Sequence, residues 1–185
     1  VAHANEKDVD KAVKAARKAY DSTWSKTKPS ERAKYIYRIA RLMQERAKEF
    51  ALIESLDSGK VIREASGVDV PLACNHFFYY AGWADKLEYA FPNRTVVPLG
   101  VAGQIIPWNF PLLMAAWKIA PALATGNTVV LKPSEHTAYT SKLLVSIISS
   151  IFKPEHIKVI EGGIPETTLL LNERWDYIFF TGSVA

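Results

Sequence analysis

The residues with the clearest capacity for chemistry follow a short apolar run at positions 101–106. This run contains β-branched residues and is bounded by Gly100 and Pro107, which predicts a buried strand. The loop after it contains Asn109, and a long helical pattern follows. A strand that ends in a rigid loop and leads into a helix is where an open α/β sheet binds its ligands. Asn109 is therefore a candidate catalytic hydrogen-bond donor, with a local role in loop geometry as the alternative.

Four strand-like segments alternate with three helical segments in the second half of the chain. In chain order they are strand 101–106, helix 112–124, strand 128–132, helix 140–151, strand 157–160, helix 165–171 and strand 177–180. Strict alternation predicts right-handed crossovers and a parallel sheet. We therefore expect an α/β fold in which residues 99–185 form a Rossmann-like parallel sheet with flanking helices. The usual G-x-G-x-x-G fingerprint is absent.

The first 87 residues carry helical patterns. Asn5 is placed to cap a first helix over 6–21. Pro29 opens a second helix, whose apolar stripe continues to Leu56 before the terminator Asp57-Ser58-Gly59. A third, aromatic-rich helical pattern covers 64–87, with a start or kink at Pro71.

Residues 88–98 differ in character from the helices before them. Two short strand-like pieces flank Pro92-Asn93-Arg94, which has the composition of a turn. We expect a short β arm that leaves the main body and takes part in oligomerisation.

The overall composition is that of an ordinary soluble globular protein, with 49% apolar and 23% charged residues. No apolar stretch is long enough for a membrane span and no secretory signal is visible, so we expect no membrane association. The single cysteine, Cys74, suits a reducing compartment and a cytoplasmic location. The net charge of +4 does not predict nucleic-acid binding, because basic and acidic residues are interleaved at helical spacing in the first 63 positions.

Cys74 is not a good candidate for a nucleophile. It lies among apolar and aromatic residues of a helical segment, without a neighbouring group placed to lower its pKa. We therefore expect a buried structural thiol. The four histidines lack the spacing of metal ligands, so no metal site is predicted; they are His3, His76, His136 and His156.

Three motifs occur in order along the chain: G-Q-I-I-P-W-N-F-P at 103–111, G-N-T-V-V-L-K-P-S-E at 126–135 and F-F-T-G-S at 179–183. Together they resemble the aldehyde dehydrogenase superfamily. The N-terminal helices and the segment Y-Y-A-G-W-A-D-K-L also fit, so the resemblance covers essentially the whole chain. It implies NAD(P)-dependent oxidation of an aldehyde to a carboxylic acid.

The resemblance gives the asparagine of P-W-N, Asn109, a specific role. In the family this amide donates to the oxyanion of the thiohemiacetal that forms when a cysteine attacks the aldehyde. Loss of one such donor typically removes about 2.7–4 kcal/mol of transition-state stabilisation. The resemblance also implies that the residues just before it line the cofactor face, although the two isoleucines must also belong to the core. They are Ile105, Ile106, Pro107 and Trp108.

Lys132 and Glu135 follow a strand, where the resemblance implies the ribose of the cofactor. A carboxylate accepts hydrogen bonds from ribose hydroxyls and repels a 2′-phosphate, which favours NAD, while the nearby lysine leaves NADP open. A surface ion pair is the alternative. The resemblance places Gly182 and Ser183 at the pyrophosphate. Gly163 would allow the adenosine to approach, with an ordinary turn as the alternative.

The resemblance places the nucleophilic cysteine and the general-base glutamate beyond Ala185. The chain begins without methionine, and both ends look like cuts. We expect a partial NAD(P)-binding domain of a homo-oligomer that does not by itself turn over aldehyde. The part up to Lys132 resembles the tetrameric branch of the family and the later part resembles the dimeric branch. The alternatives are a truncated interaction module and a related semialdehyde or acyl-phosphate reductase.

Overall fold

The computed structural model describes residues 2–152 and 154–183. Its helices are α1 (Glu6–Ser22), α2 (Pro29–Glu45), α3 (Ala47–Ser58), α4 (Ile62–Glu64), α5 (Val70–Trp83), α6 (Leu87–Ala90), α7 (Pro111–Ala124), α8 (Tyr139–Ile151) and α9 (Ile164–Leu171). Its strands are β1 (Val101–Ile105), β2 (Thr128–Lys132), β3 (Ile157–Val159) and β4 (Tyr177–Phe180). None of the described helices is long and apolar enough to cross a membrane.

The four strands form one parallel sheet in the order β3-β2-β1-β4. Gly103 of β1 pairs with Val130 on one side and with Ile178 on the other. The chain therefore winds from β1 through β2 to β3 and then returns to the opposite side of β1. This reversal creates a switch point at the carboxyl ends of β1 and β4, the position at which open α/β sheets bind ligands. The predicted α/β fold with a parallel sheet is confirmed.

Both faces of the sheet are covered at β1 and β2, which explains why these two strands read as nearly continuous apolar runs. Strand β4 lies at one side of the sheet and is more open, with Phe180 55% exposed. Val101, Ile105 and Val130 belong to a core shared with α1 and α9. Their neighbours Ala102 and Val129 belong to the larger core, to which α2, α5, α7 and α8 contribute. This alternation follows from the two-residue period of a strand.

Gly100 has no room for a side chain, because Asp176 occupies the adjacent space. Gly100 has a φ of 140°, and the carboxylate of Asp176 occupies the position that a Cβ would take. That carboxylate accepts a hydrogen bond from the Val101 N–H at 2.6 Å and pairs with Arg17 at 2.6 Å. The glycine therefore allows one acidic side chain to join β1, the start of β4 and α1.

Several predicted helix ends are confirmed. The Asn5 side chain accepts from the Asp8 N–H and caps α1. Gly59 ends α3 in the left-handed region with a φ of 73°. The kink expected at Pro71 takes the form of a π-helical turn over Ala65–Asp69, in which the Val70 N–H donates to the Ala65 carbonyl. A proline cannot donate to the helical ladder, and the wider turn stands immediately before it.

The sequence predicts one long helical stretch from Pro29 to Leu56, but the structure has two helices, α2 and α3, in its place. The chain changes direction at Arg46, whose φ and ψ are −103° and 20°. As a result α2 packs mainly against α5 and α3 packs mainly against the π-helical turn, while both contact α8. Nothing in the local apolar pattern marks this break.

The strand pieces predicted at 88–98 have no pairing partner within the described residues, and the arm and its part in oligomerisation stay predictions. The segment begins with the end of α6 and a turn, and residues 95–100 belong to no helix or strand. A strand requires a neighbour for its N–H and C=O groups, and no described strand lies beside this segment. Its side chains are correspondingly open, with Tyr89 85% and Val97 67% exposed. Its one side-chain anchor among the described residues is the Tyr20 hydroxyl, which donates to the Pro98 carbonyl at 3.2 Å.

Candidate functional site

A cleft of about 650 Å³ lies at the carboxyl edge of the sheet. It is formed where the chain leaves β1, β2 and β4, because parallel strands bring their carboxyl ends to one edge. Its lining consists of Ile105, Ile106, Pro107, Trp108, Asn109, Met114, Lys132, Ser134, Glu135, Ile164, Phe180, Thr181, Gly182 and Ser183. All but one of the residues that the sequence nominated thus meet in one cleft, and the exception is Gly163.

Asn109 is exposed and lines this cleft. Its side-chain amide has no hydrogen bond to any residue of the described part of the chain. The loop is bracketed by Pro107, which follows β1, and by Pro111, which begins α7. An amide on a loop bracketed by two prolines, without a hydrogen-bond partner among the described residues, is available to donate to a bound oxygen.

Lys132 and Glu135 form an ion pair in which the Nζ and Oε2 atoms are 3.6 Å apart. The lysine side chain is 6% exposed and the glutamate side chain is 36% exposed, so the carboxylate faces the cleft while the ammonium lies behind it. A hydrogen bond from its own backbone N–H, together with the lysine charge, lowers the pKa of Glu135. Burial lowers the pKa of Lys132, and the charge of Glu135 partly offsets this effect.

Gly163 is buried behind the cleft. A Cβ at this position would lie 3.4 Å from the Glu135 Oε1 atom, an ordinary van der Waals contact, so Gly163 packs directly behind the carboxylate. The Gly163 N–H donates to the Glu166 Oε2 at 2.7 Å, which seats the start of α9. The residue that reaches the cleft from this loop is its neighbour, Ile164, which is 81% exposed.

Gly182 and Ser183 follow β4 and are exposed at the opposite side of the cleft. The Thr181 N–H donates to the Ile105 carbonyl at 3.1 Å and continues the β1–β4 ladder to the cleft wall. A Cβ at Gly182 would lie 2.6 Å from the Phe180 ring, so a larger residue would displace this aromatic part of the lining.

Lys118 is a charged residue at this site that the sequence reasoning missed. It lies on α7 and is 2% exposed, and its Nζ donates to the Thr181 Oγ1 at 2.6 Å. The ammonium is also 3.6 Å from the centroid of the Phe179 ring, within cation–π range. Burial lowers the pKa of Lys118 to about 8. A lysine in the otherwise apolar pattern of 111–124 was the signal that could have found it.

The sequence model of the aldehyde dehydrogenase family matches residues 1–185. The chain belongs to the aldehyde dehydrogenase family. It is 47% identical over 188 residues to DhaS of Bacillus subtilis, an alignment that covers 95% of this chain and 38% of DhaS. An aldehyde dehydrogenase of Alternaria alternata is 45% identical over 194 residues, covering 99% of this chain and 39% of the fungal enzyme. The chain thus spans about two-fifths of the length of these relatives.

Solved structures agree with this assignment to the aldehyde dehydrogenase family. HpcC from Thermus thermophilus superposes with a TM-score of 0.86 at 38% identity, covering 93% of this chain and 35% of that one. A betaine aldehyde dehydrogenase variant from Staphylococcus aureus, solved in complex with NAD+, superposes with a TM-score of 0.80 at 36% identity. That comparison covers 88% of this chain and 35% of the enzyme.

The lone cysteine of this aldehyde dehydrogenase chain lies away from the cleft. Cys74 is buried in α5, and burial raises the pKa of its thiol to about 11. His76, on the same helix, lies beside Trp117 with ring centroids 5.4 Å apart. Across residues 2–152 and 154–183, no group of three or more histidine, cysteine, aspartate or glutamate side chains is arranged to hold a metal ion.

Proposed function

We propose that the protein oxidises an aldehyde to a carboxylic acid with NAD(P), and that residues 1–185 supply the cofactor cleft and the oxyanion donor. The observation that carries the proposal is that Asn109 and the Lys132–Glu135 pair line one cleft at the carboxyl edge of the sheet. The Asn109 amide has no hydrogen-bond partner within residues 2–152 and 154–183. The NAD+ complex of the similar betaine aldehyde dehydrogenase supports the same class of cofactor. Assembly into a homo-oligomer remains part of the proposal.

The cleft has the donors and acceptors that a dinucleotide requires. The open carboxylate of Glu135 can accept from ribose hydroxyls, and Lys132 behind it can donate. The exposed backbone of Gly182 and Ser183 suits a pyrophosphate, because a glycine permits close approach of the main chain. Ile106, Pro107 and Trp108 complete the lining with apolar surface; when bound, NAD(P) accepts a hydride from the substrate.

In this proposal, Asn109 acts when the nucleophile attacks the aldehyde and does not act in cofactor binding. Attack of a thiolate on the aldehyde carbonyl moves negative charge to the carbonyl oxygen, and a preorganised amide N–H stabilises that charge. Since the Cys74 thiol is buried and its pKa is raised, it does not supply the thiolate. In this proposal the nucleophile is a residue that is not among residues 1–185.

The cofactor preference in this proposal follows from charge. A carboxylate at the ribose repels a 2′-phosphate, so Glu135 favours NAD over NADP. Lys132 lies only 3.6 Å from that carboxylate and reduces the repulsion, so NADP binds more weakly without being excluded.

Nucleotide titration tests the cleft directly. We expect Glu135→Gln to lower the ratio of the NADP to the NAD dissociation constant about tenfold, which corresponds to about 1.4 kcal/mol. Glu88→Gln, at an exposed glutamate outside the cleft, serves as the matched control and should leave the ratio unchanged. An unchanged ratio for Glu135→Gln would overturn the ribose assignment. Failure of the unsubstituted protein to bind either nucleotide would overturn the cofactor cleft itself.

A further inference from the structure

A buried ion pair lies next to the Asn109 loop and has no part in the proposed function. Lys60 follows α3, and its Nζ is 2.5 Å from the Oδ2 of Asp69, which precedes α5. The two side chains are 13% and 2% exposed. Breaking a buried pair by removing one partner is strongly destabilising, whereas an apolar replacement of both partners is often tolerated. The fold alone therefore gives no reason for a charge at this position.

The same ammonium contacts the loop that carries Asn109. Lys60 Nζ lies 4.0 Å from the centroid of the Phe110 ring, a cation–π distance. Phe110 follows Asn109 directly and is the residue before α7, with its carbonyl accepting from the Met114 N–H at 2.8 Å. The ring of Phe110 is thus held from one side by Lys60, and its backbone is held from the other side by α7.

The rest of the loop is less constrained. Trp108 is 59% exposed, and the Asn109 amide has no hydrogen-bond partner among the described residues. The two flanking prolines restrict the backbone at the ends of the loop, but a proline has no N–H to donate to the Asn109 side chain. The cation–π contact with Lys60 therefore restrains a side chain directly next to Asn109 in the chain, whereas the bond to Met114 restrains only the Phe110 carbonyl.

A buried carboxyl group sits beside this contact. Glu54 of α3 is 0% exposed, and the Leu112 N–H in the first turn of α7 and the Thr140 hydroxyl of α8 are near its carboxyl group. Neither carboxyl oxygen of Glu54 reaches hydrogen-bond geometry within the described chain. The charge of Lys60 and the charge of Asp69 act on this group in opposite directions. The ammonium therefore lies near two buried carboxyl groups, that of Glu54 on α3 and that of Asp69 just before α5.

We propose that Lys60, held by Asp69, is a positioning residue that orients Asn109 through its contact with the Phe110 ring. Asp69 fixes the ammonium, the ammonium restricts the ring, and the ring restricts the peptide that joins Phe110 to Asn109. The functional consequence rests on the proposed role of Asn109 as oxyanion donor. The structural consequence, a single orientation of the Asn109 amide, does not depend on that role.

The test uses NMR of the side-chain amide of Asn109, assigned by comparison with Asn109→Ala. Lys60→Met removes the charge, and Lys60→Met combined with Asp69→Asn also removes the buried counter-charge, so that at least one neutral variant remains folded. Lys60→Arg is the conservative variant. The matched control is Lys34→Met, which removes a lysine from a surface pair with Glu31 whose charged atoms are 2.7 Å apart.

We expect the neutral variants to shift or broaden the Asn109 amide resonances, whereas NAD affinity changes by less than twofold and Lys60→Arg restores the original signal. In an enzyme that contains this chain, kcat should fall about tenfold while KM for NAD is unchanged. A folded double variant with unaltered Asn109 resonances would overturn the proposal. If Asn109→Ala left kcat unchanged, the oxyanion role would fail, but the resonance test of Lys60 would stand independently.

Discussion

The Lys118 ammonium donates to the Thr181 hydroxyl across 2.6 Å and thereby links α7 to the residue that follows β4. This bond places a buried cation directly behind the cleft wall, since Thr181 lines the cleft and Lys118 does not. Helix α7 and the end of strand β4 are therefore joined by a charged group whose protonation depends on pH.

Replacement of Lys118 by methionine should change the pH dependence of stability. Burial lowers the pKa of Lys118 from 10.5 to about 8, so the unfolded chain binds more protons between these values and stability rises with pH across them. The full shift corresponds to about 3 kcal/mol. In urea unfolding at pH 8 and pH 10, Lys118→Met should lack this rise. Lys34→Met is the surface control, and a rise equal to that of the unsubstituted protein would contradict the prediction.

Glu54 should produce the opposite slope at lower pH. Burial raises its pKa from 4.5 to about 7, so the folded state binds more protons between these values and stability falls as the pH rises through this window. Above pH 7 the penalty is about 3 kcal/mol. Glu54→Gln should flatten the unfolding free energy between pH 5 and pH 7 relative to Glu88→Gln. Parallel curves for the two variants would show that Glu54 titrates normally.

Asn109→Ala should impair catalysis without impairing cofactor binding. Loss of one oxyanion donor lowers kcat by about 100-fold to 1,000-fold, because the interaction forms only as charge develops. The measurement is steady-state NADH formation in an enzyme that contains this chain, together with the NAD dissociation constant. Asn75→Ala, at an exposed asparagine on α5, is the control. Equal losses for both variants would indicate a general defect rather than a missing donor.

The Cys74 thiol should be unreactive in the folded protein. With its pKa raised to about 11 by burial, only about one thiol in a thousand is ionised at pH 8. We expect a thiol reagent at pH 8 to modify the folded protein at least about 100-fold more slowly than the protein in concentrated urea.

Residues 1–185 by themselves should form no NADH from an aldehyde, because the Cys74 thiol is not an available nucleophile. Rapid native labelling or sustained NADH formation would each contradict this account of the cysteine.

The sequence by itself determined most of the local structure. The apolar runs matched β1, β2, β3 and β4 to within a residue. For β1 and β2 the reason is that strands buried on both faces need continuous apolar side chains. The helix ends at Asn5 and Gly59 were also predictable, since capping depends on residues a few positions apart. Asn109 and Glu135 could be nominated because they follow predicted strands, whereas the resemblance to the aldehyde dehydrogenase family supplied most of the other cleft residues.

Only the tertiary structure decided which of these loops meet. The return of β4 to the side of β1 brings Thr181 next to a lysine 63 residues earlier, and no local pattern specifies that pairing. The break at Arg46 and the absence of strand pairing at the described residues 95–100 likewise depend on distant packing partners. Periodicity reports which side of an element is buried, whereas strand order and the burial of a charge depend on the partners that the rest of the chain provides.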